Sequence, residues 1–197
     1  MERDLAVAVG RTPRVTVDGV FERHVSEKWL DRALVDGSRS GGRWAQPGAF
    51  PVIYLGRPRD SVVVEAYRHL VDDIEGMTAE RVRGRFLLRS QVLVHDVVDL
   101  RGREARLAVG LQDDEISSDV GDYEACRRIG HVAHQLNLHG VLAPSASGLG
   151  ETLALFVDFL APGEFPRPLG EPIAWSTLPP DPRRLRILQS ERETPPA

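Results

Sequence analysis

The chain has 197 residues, 42% of them hydrophobic, which is enough for one domain to bury a substantial core. Its formal charge is −4 and its pI about 5.9, so no broad cationic field exists to attract a nucleic-acid backbone. No run approaches the roughly 18 apolar residues of a membrane span, and a sole cysteine, Cys126, excludes an intramolecular disulfide, so a soluble cytoplasmic protein with no direct nucleic-acid or membrane partner is expected.

Residues 1–20 read as an extended or frayed lead-in, and Asp31–Gly42 as a polar loop leading into Gly41-Gly42-Arg43-Trp44. Pro51-Val52-Ile53-Tyr54-Leu55 is short, apolar and β-branched, which predicts a buried strand ended by Gly56. Pro58 and Asp60 then supply helix-start chemistry for Ser61–Glu75, where Val63, Tyr67, Leu70, Val71 and Ile74 recur at three- and four-residue spacing before Gly76. From Arg85 to Leu100 two alternating runs predict half-exposed strands. The acidic segment Gln112–Asp122 reads as a loop, and Asp122–His139 as a second helix with Gly140 as its C′ residue. Val141-Leu142-Ala143 and Thr152–Leu160 bracket a Pro/Ser/Gly-rich stretch, so strand, loop, strand is predicted there. The segment from Pro162 is rich in proline, and Glu191–Ala197 is expected to be disordered. Strands mixed with two helices indicate α+β. Gly148-Leu149-Gly150 lacks the third glycine and following helix of a dinucleotide fingerprint, which argues against a doubly wound nucleotide fold.

Three groups of polar side chains invite chemistry without supporting it. His131 and His134 share a helical face and His139 is near, but a zinc site needs a third ligand and a second shell. Asp113-Asp114-Glu115 lacks the glycine and spaced oxygens of a calcium loop, and Cys126 has no activating motif around it. No metal site is therefore expected. Lys28 is the only lysine, so nearly all positive charge is guanidinium, suited to bidentate phosphate recognition.

Four segments carry a sharper signal: Gly41-Gly42-Arg43-Trp44, Val52-Ile53-Tyr54-Leu55, Val64-Glu65-Ala66 and Leu142-Ala143-Pro144-Ser145. Arg43 and Tyr54 are eleven residues apart, as are Tyr54 and Glu65, and Arg23 lies twenty residues before Arg43. In residues and spacing the chain resembles the RES-domain family. The stretch from Arg106 through Gly130-His131-Val132-Ala133 to Leu142 resembles the branch that degrades NAD using phosphate. One departure is visible: Trp44-Ala45-Gln46-Pro47 stands where the family usually has Trp-Asn-Pro, so an asparagine contact or turn cap is absent.

The resemblance implies a fold like the ADP-ribosyltransferases, with a split mixed sheet, flanking helices and an NAD cleft. It divides the chain into an N-terminal extension (1–20), a RES domain (21–160) and a C-terminal extension (161–197). It implies a toxin enzyme that cleaves the nicotinamide–ribose bond of NAD with phosphate or water as acceptor. A cognate antitoxin with a DNA-binding domain would neutralise it, and homo-oligomerisation is left open. NAD is then substrate, inorganic phosphate a co-substrate, and no true cofactor is needed. Nicotinamide leaves from a pyridinium nitrogen, so no general acid is required, and a single carboxylate suffices to stabilise the oxocarbenium-like ribose; Glu65 is that candidate. Arg23 and Arg43 suit the pyrophosphate, Tyr54 the nicotinamide ring, and Ser145 the ribose or carboxamide. Transfer of the ADP-ribosyl group to a protein would use the same cleft and Glu65. A catalytically inactive binding module is the alternative from a different class, and the changed residues after Trp44 are its sole support.

Overall fold

A computed structural model describes residues 2–117 and 123–184 of the chain. Glu191–Ala197 and the end of the acidic segment lie outside the described residues.

Helix α1 (Glu2–Arg11) replaces the extended lead-in expected for residues 1–20. Leu5, Ala6, Ala8 and Val9 recur at helical spacing; Val9 is fully buried, and the cluster they join includes Ile129 and Val132 of α5 (Glu124–Gln135). Tertiary burial of this face outweighs the charged residues around it. The Thr12 hydroxyl donates to the Ala8 carbonyl at 3.0 Å, and the chain then enters β1 (Arg14–Ser26).

β2 (Val52–Arg57) lies inside the sheet, which explains its unbroken apolar run. Val52 packs with Trp44 and Phe156, while Ile53 and Leu55 point to the opposite cluster with Phe21 and Leu153. Gly56 does not end the strand, because the ladder continues to Arg57↔Glu151. The following helix, α2 (Arg59–Tyr67), passes directly into a π-helical turn over Arg68–Asp72, so it is shorter than the spacing predicts and wider at its end. Val63 and Tyr67 bury against Leu87, Trp175 and Leu178, with Leu70 and Val71 partly covered, whereas Ile74 is exposed.

β3 (Arg85–Asp99) is one strand where two are expected. Its antiparallel ladder with β1 slips by one residue between Val15↔Val97 and Val17↔Val94. Asp96, at φ 51°, sits in that slip, so a bulge absorbs the extra residue and the strand continues. α3 (Arg103–Ala108) and α4 (Asp113–Ser117) follow, and α4 makes part of the expected acidic loop helical. α5 ends where Asn137 adopts φ 56°, not at Gly140. Gly140 instead opens β4 (Gly140–Pro144), where a Cβ would lie 2.2 Å from the Ala154 carbonyl oxygen.

Beyond its bulge β3 pairs in parallel with β4; β4 pairs antiparallel with β5 (Glu151–Phe156), and β5 with β2. β2 meets β1 through Glu22↔Gly56, so the path β1-β2-β5-β4-β3 closes on itself. The expected continuation of β5 to Leu160 is a 3₁₀ turn, Val157–Phe159. Short strands β6 (Arg167–Pro168) and β7 (Ile173–Trp175) pair with β3, giving a mixed α+β architecture.

Candidate active site

The seam between β1 and β2 is the narrowest join in the ring, and a cavity of about 240 Å³ opens beside it. Arg23 from β1, Arg43 from the 33–51 loop, Tyr54 from β2 and Glu65 from α2 all line this cavity. Ser145 is buried behind it, between the lining residues Pro144 and Ala146. The five residues singled out in the sequence thus converge from β1, the 33–51 loop, β2, α2 and the end of β4.

Val63, Val64 and Ala66 are buried and anchor α2, while Glu65 stays half-buried and lines the cavity beside Val62. The Ser145 hydroxyl donates to Glu65 Oε1 at 3.2 Å. Ser145 Oγ in turn accepts the Ser147 N–H at 3.2 Å and lies 2.8 Å from the Ser147 hydroxyl. Ser147 also contacts Ser61 Oγ at 3.1 Å, so the loop after β4 is tied to the first turn of α2. A carboxylate held by a hydroxyl that is itself held needs little reorganisation when charge develops beside it.

Tyr54 is fixed from the opposite side. Its hydroxyl accepts the Trp44 N–H at 3.1 Å, and burial raises its pKa far enough that the phenol stays protonated. Gly42 lies against this hydroxyl: a Cβ there would sit 2.6 Å from Tyr54 Oη. The turn is closed by the Gly42 N–H donating to the Ala45 carbonyl at 2.9 Å, so Ala45, itself buried, takes part through its backbone without an asparagine side chain. Gly130 of α5 admits the Trp44 carbonyl, which a Cβ would approach to 2.0 Å.

Arg43 lies over the Tyr123 ring at 4.3 Å and donates to the Glu115 carbonyl at 3.1 Å. Arg127 approaches the same ring at 5.2 Å, and its Nε donates to the Gly42 carbonyl at 3.0 Å. Arg23 donates to the Ala33 carbonyl. Burial, with the Arg85 guanidinium near it, pushes the Arg23 pKa down to about 10. Glu22, buried beside it, is bound by Arg59 at 2.8 Å and Arg89 at 3.3 Å, which joins α2, β1 and β3.

Arg68, Tyr123 and His24 also line the cavity and were not foreseen. Arg68 stands three residues after Glu65, a spacing that places both on one helix face, and its Nη1 donates to the Ala146 carbonyl at 2.6 Å. Tyr123 offers no comparable signal, because the contact with Arg43 is made across the fold.

The other polar groups have local partners. His134 pairs with Asp158 at 3.0 Å and stacks on Phe50, His139 pairs with Glu164 at 2.8 Å, and His131 bonds to Gln135. Among the described residues no three His, Cys, Asp or Glu side chains are grouped to hold a metal ion. Cys126 is buried, which pushes its thiol up to about 11. No helix among the described residues is long and apolar enough to cross a membrane.

Comparison with known proteins gives the family. The RES domain model matches residues 20–176. Proteins of Mycobacterium tuberculosis and Mycobacterium bovis named NAD(+) phosphorylase MbcT are 36% identical over 128 residues, 64% of this chain and 67% of theirs. The crystal structure of the M. tuberculosis MbcT–MbcA toxin–antitoxin complex contains a chain that superposes with a TM-score of 0.71 at 26% identity, covering 97% of this chain and 98% of that one.

Proposed function

Because this chain belongs to the RES-domain family, we propose that it is an NAD-consuming toxin that cleaves the nicotinamide–ribose bond and passes the ADP-ribosyl group to inorganic phosphate. The observation that carries this reading is the convergence of Arg23, Arg43, Tyr54 and Glu65 on one cavity, with Ser145 bonded to Glu65, in a chain similar to a named NAD phosphorylase. The closed ring of strands with its cleft at a weak seam fits the split mixed sheet of ADP-ribosyltransferases. In this assignment residues 21–160 form the catalytic unit, and β6 and β7 of the C-terminal extension complete the sheet beside β3.

The chemistry follows from the residues. Nicotinamide departs as a neutral molecule with the electron pair of the broken C1′–N bond, so the barrier lies in the positive charge left on the ribose. Glu65, oriented by Ser145, stabilises that charge in the transition state more than in the ground state. Arg43 and Arg23 engage the pyrophosphate, and Tyr54 supplies a neutral phenol and an aromatic face toward nicotinamide. A cognate antitoxin holds the enzyme silent, in line with the similarity to the MbcT–MbcA toxin–antitoxin complex; in this reading it carries a DNA-binding domain, covers the cleft and acts in the cytoplasm.

The test is to incubate the purified protein with NAD, with and without phosphate, and to identify the products. Nicotinamide with ADP-ribose 1″-phosphate is expected when phosphate is present. Free ADP-ribose in both conditions would assign water as acceptor, a labelled protein would assign protein transfer, and intact NAD would overturn the reading.

A further inference from the structure

A second cavity, of about 770 Å³, lies on the other side of Arg23 and His24, which line both it and the NAD cleft. Its wall is basic. Lys28, Arg39 and Arg85 line it, while Asp36, a carboxylate on the same wall, is ion-paired with Arg32 at 3.2 Å.

The shared wall holds an unbalanced cluster. Arg85 Nη2 donates to His24 Nδ1 at 2.6 Å, which requires that nitrogen to be the unprotonated one. Among the described residues, the buried Nε atoms of Arg23 and Arg85 have no hydrogen-bond acceptor. Arg85 is the charge acting on Arg23, and burial with the charges of Arg85, His69 and Arg23 pushes His24 down to about 3, so the imidazole stays neutral and offers the two guanidinium groups no counter-charge. Guanidinium groups buried together without a counter-charge are destabilising unless an anion joins them. A tetrahedral oxyanion meets the need, since it accepts several N–H donors at once and matches the guanidinium fork.

We propose that His24 and Arg85, with the basic cavity behind them, bind inorganic phosphate and present it to the NAD cleft across the wall that Arg23, bound to the pyrophosphate on the cleft side, shares with them. This rests on the phosphate-acceptor reading above and gives the acceptor a site and a route separate from the dinucleotide. In the step served, an unprotonated phosphate oxygen forms the bond to ribose C1′ as the C1′–N bond breaks, and the nitrogen electron pair leaves with nicotinamide. Arg85 and Lys28 touch no reacting atom of the dinucleotide. They position the acceptor.

Calorimetric titration of the full chain with inorganic phosphate, without NAD, tests the site directly. Arg85→Gln should weaken phosphate binding about tenfold and Lys28→Gln, an exposed position, about threefold. In turnover, KM for phosphate should rise by the same factors while KM for NAD changes by less than about twofold. Unchanged phosphate affinity in the variants that fold overturns the proposal. So does an Arg85→Gln protein whose NAD affinity falls while its phosphate affinity holds, since the cluster would then serve the pyrophosphate. A chain that binds phosphate through Arg85 yet consumes no NAD would refute the enzymatic reading and leave the anion site standing.

Discussion

Glu65 and Ser145 form a pair whose members should fail differently. Glu65→Gln removes the charge opposite the ribose cation at nearly constant volume, and kcat should fall by roughly 10²-fold or more with the melting temperature little changed. Wild-type turnover in a folded Glu65→Gln protein would remove Glu65 from the mechanism. Ser145→Ala leaves the charge and removes the hydroxyl donated at 3.2 Å, so a smaller loss, about tenfold in kcat/KM, is expected. Arg43→Lys keeps the charge and discards the planar fork stacked on Tyr123; KM for NAD should rise by about an order of magnitude, and an unchanged KM would make Arg43 structural. At this scale the sequence was legible where residue type and spacing coincide, as at Arg43, Tyr54 and Glu65. Arg68 carried its signal in the helical spacing from Glu65. Tyr123 and Arg85 carried none, because their roles arise from groups the fold brings near: Arg43 for Tyr123, and His24, across the β1–β3 ladder, for Arg85.

Between elements, the closest approach is the Trp44 turn on α5, where a Cβ at Gly130 would meet the Trp44 carbonyl at 2.0 Å. Gly130→Ala should therefore destabilise the protein by about 3 kcal/mol or more, readable as a fall in denaturation midpoint, although alanine is the better helix former. A stabilised Gly130→Ala protein would show that the turn and helix are not in contact. The burial of His24 between β1 and its neighbours, with the charges of Arg85, His69 and Arg23 around it, has a pH consequence, since the imidazole is held near pKa 3 against an ordinary 6.5. Between those values the unfolded chain binds a proton that the folded chain refuses, so stability is complete above pH 6.5 and declines as the pH falls toward 3. The slope from this one group is at most about 1.4 kcal/mol per pH unit, and it should flatten in His24→Gln. The elements themselves were unevenly legible. β2 and the cores of α2 and α5 follow from local pattern. α1 was hidden among charges until α5 covered its apolar side, and the unity of β3 depends on a bulge opposite β1 that no local pattern reveals.

For the whole molecule, the proposed toxin activity predicts that expression alone lowers cellular NAD and arrests growth, and that co-expression with the adjacent open reading frame restores both. Harmless expression with constant NAD would reject the toxin assignment while leaving the fold untouched. The topology of the ring has a further consequence for how such a chain is made. Val52 pairs with Phe156, and the other edge of β2 is held at two points, Ser38↔Val52 and Glu22↔Gly56, so Tyr54 is not fully seated until β5 has left the ribosome. Nascent chains that already contain Arg23, Arg43 and Glu65 have no assembled cleft and no activity. Synthesis itself thus imposes a delay, lasting until β5 emerges, before the proposed enzyme becomes competent.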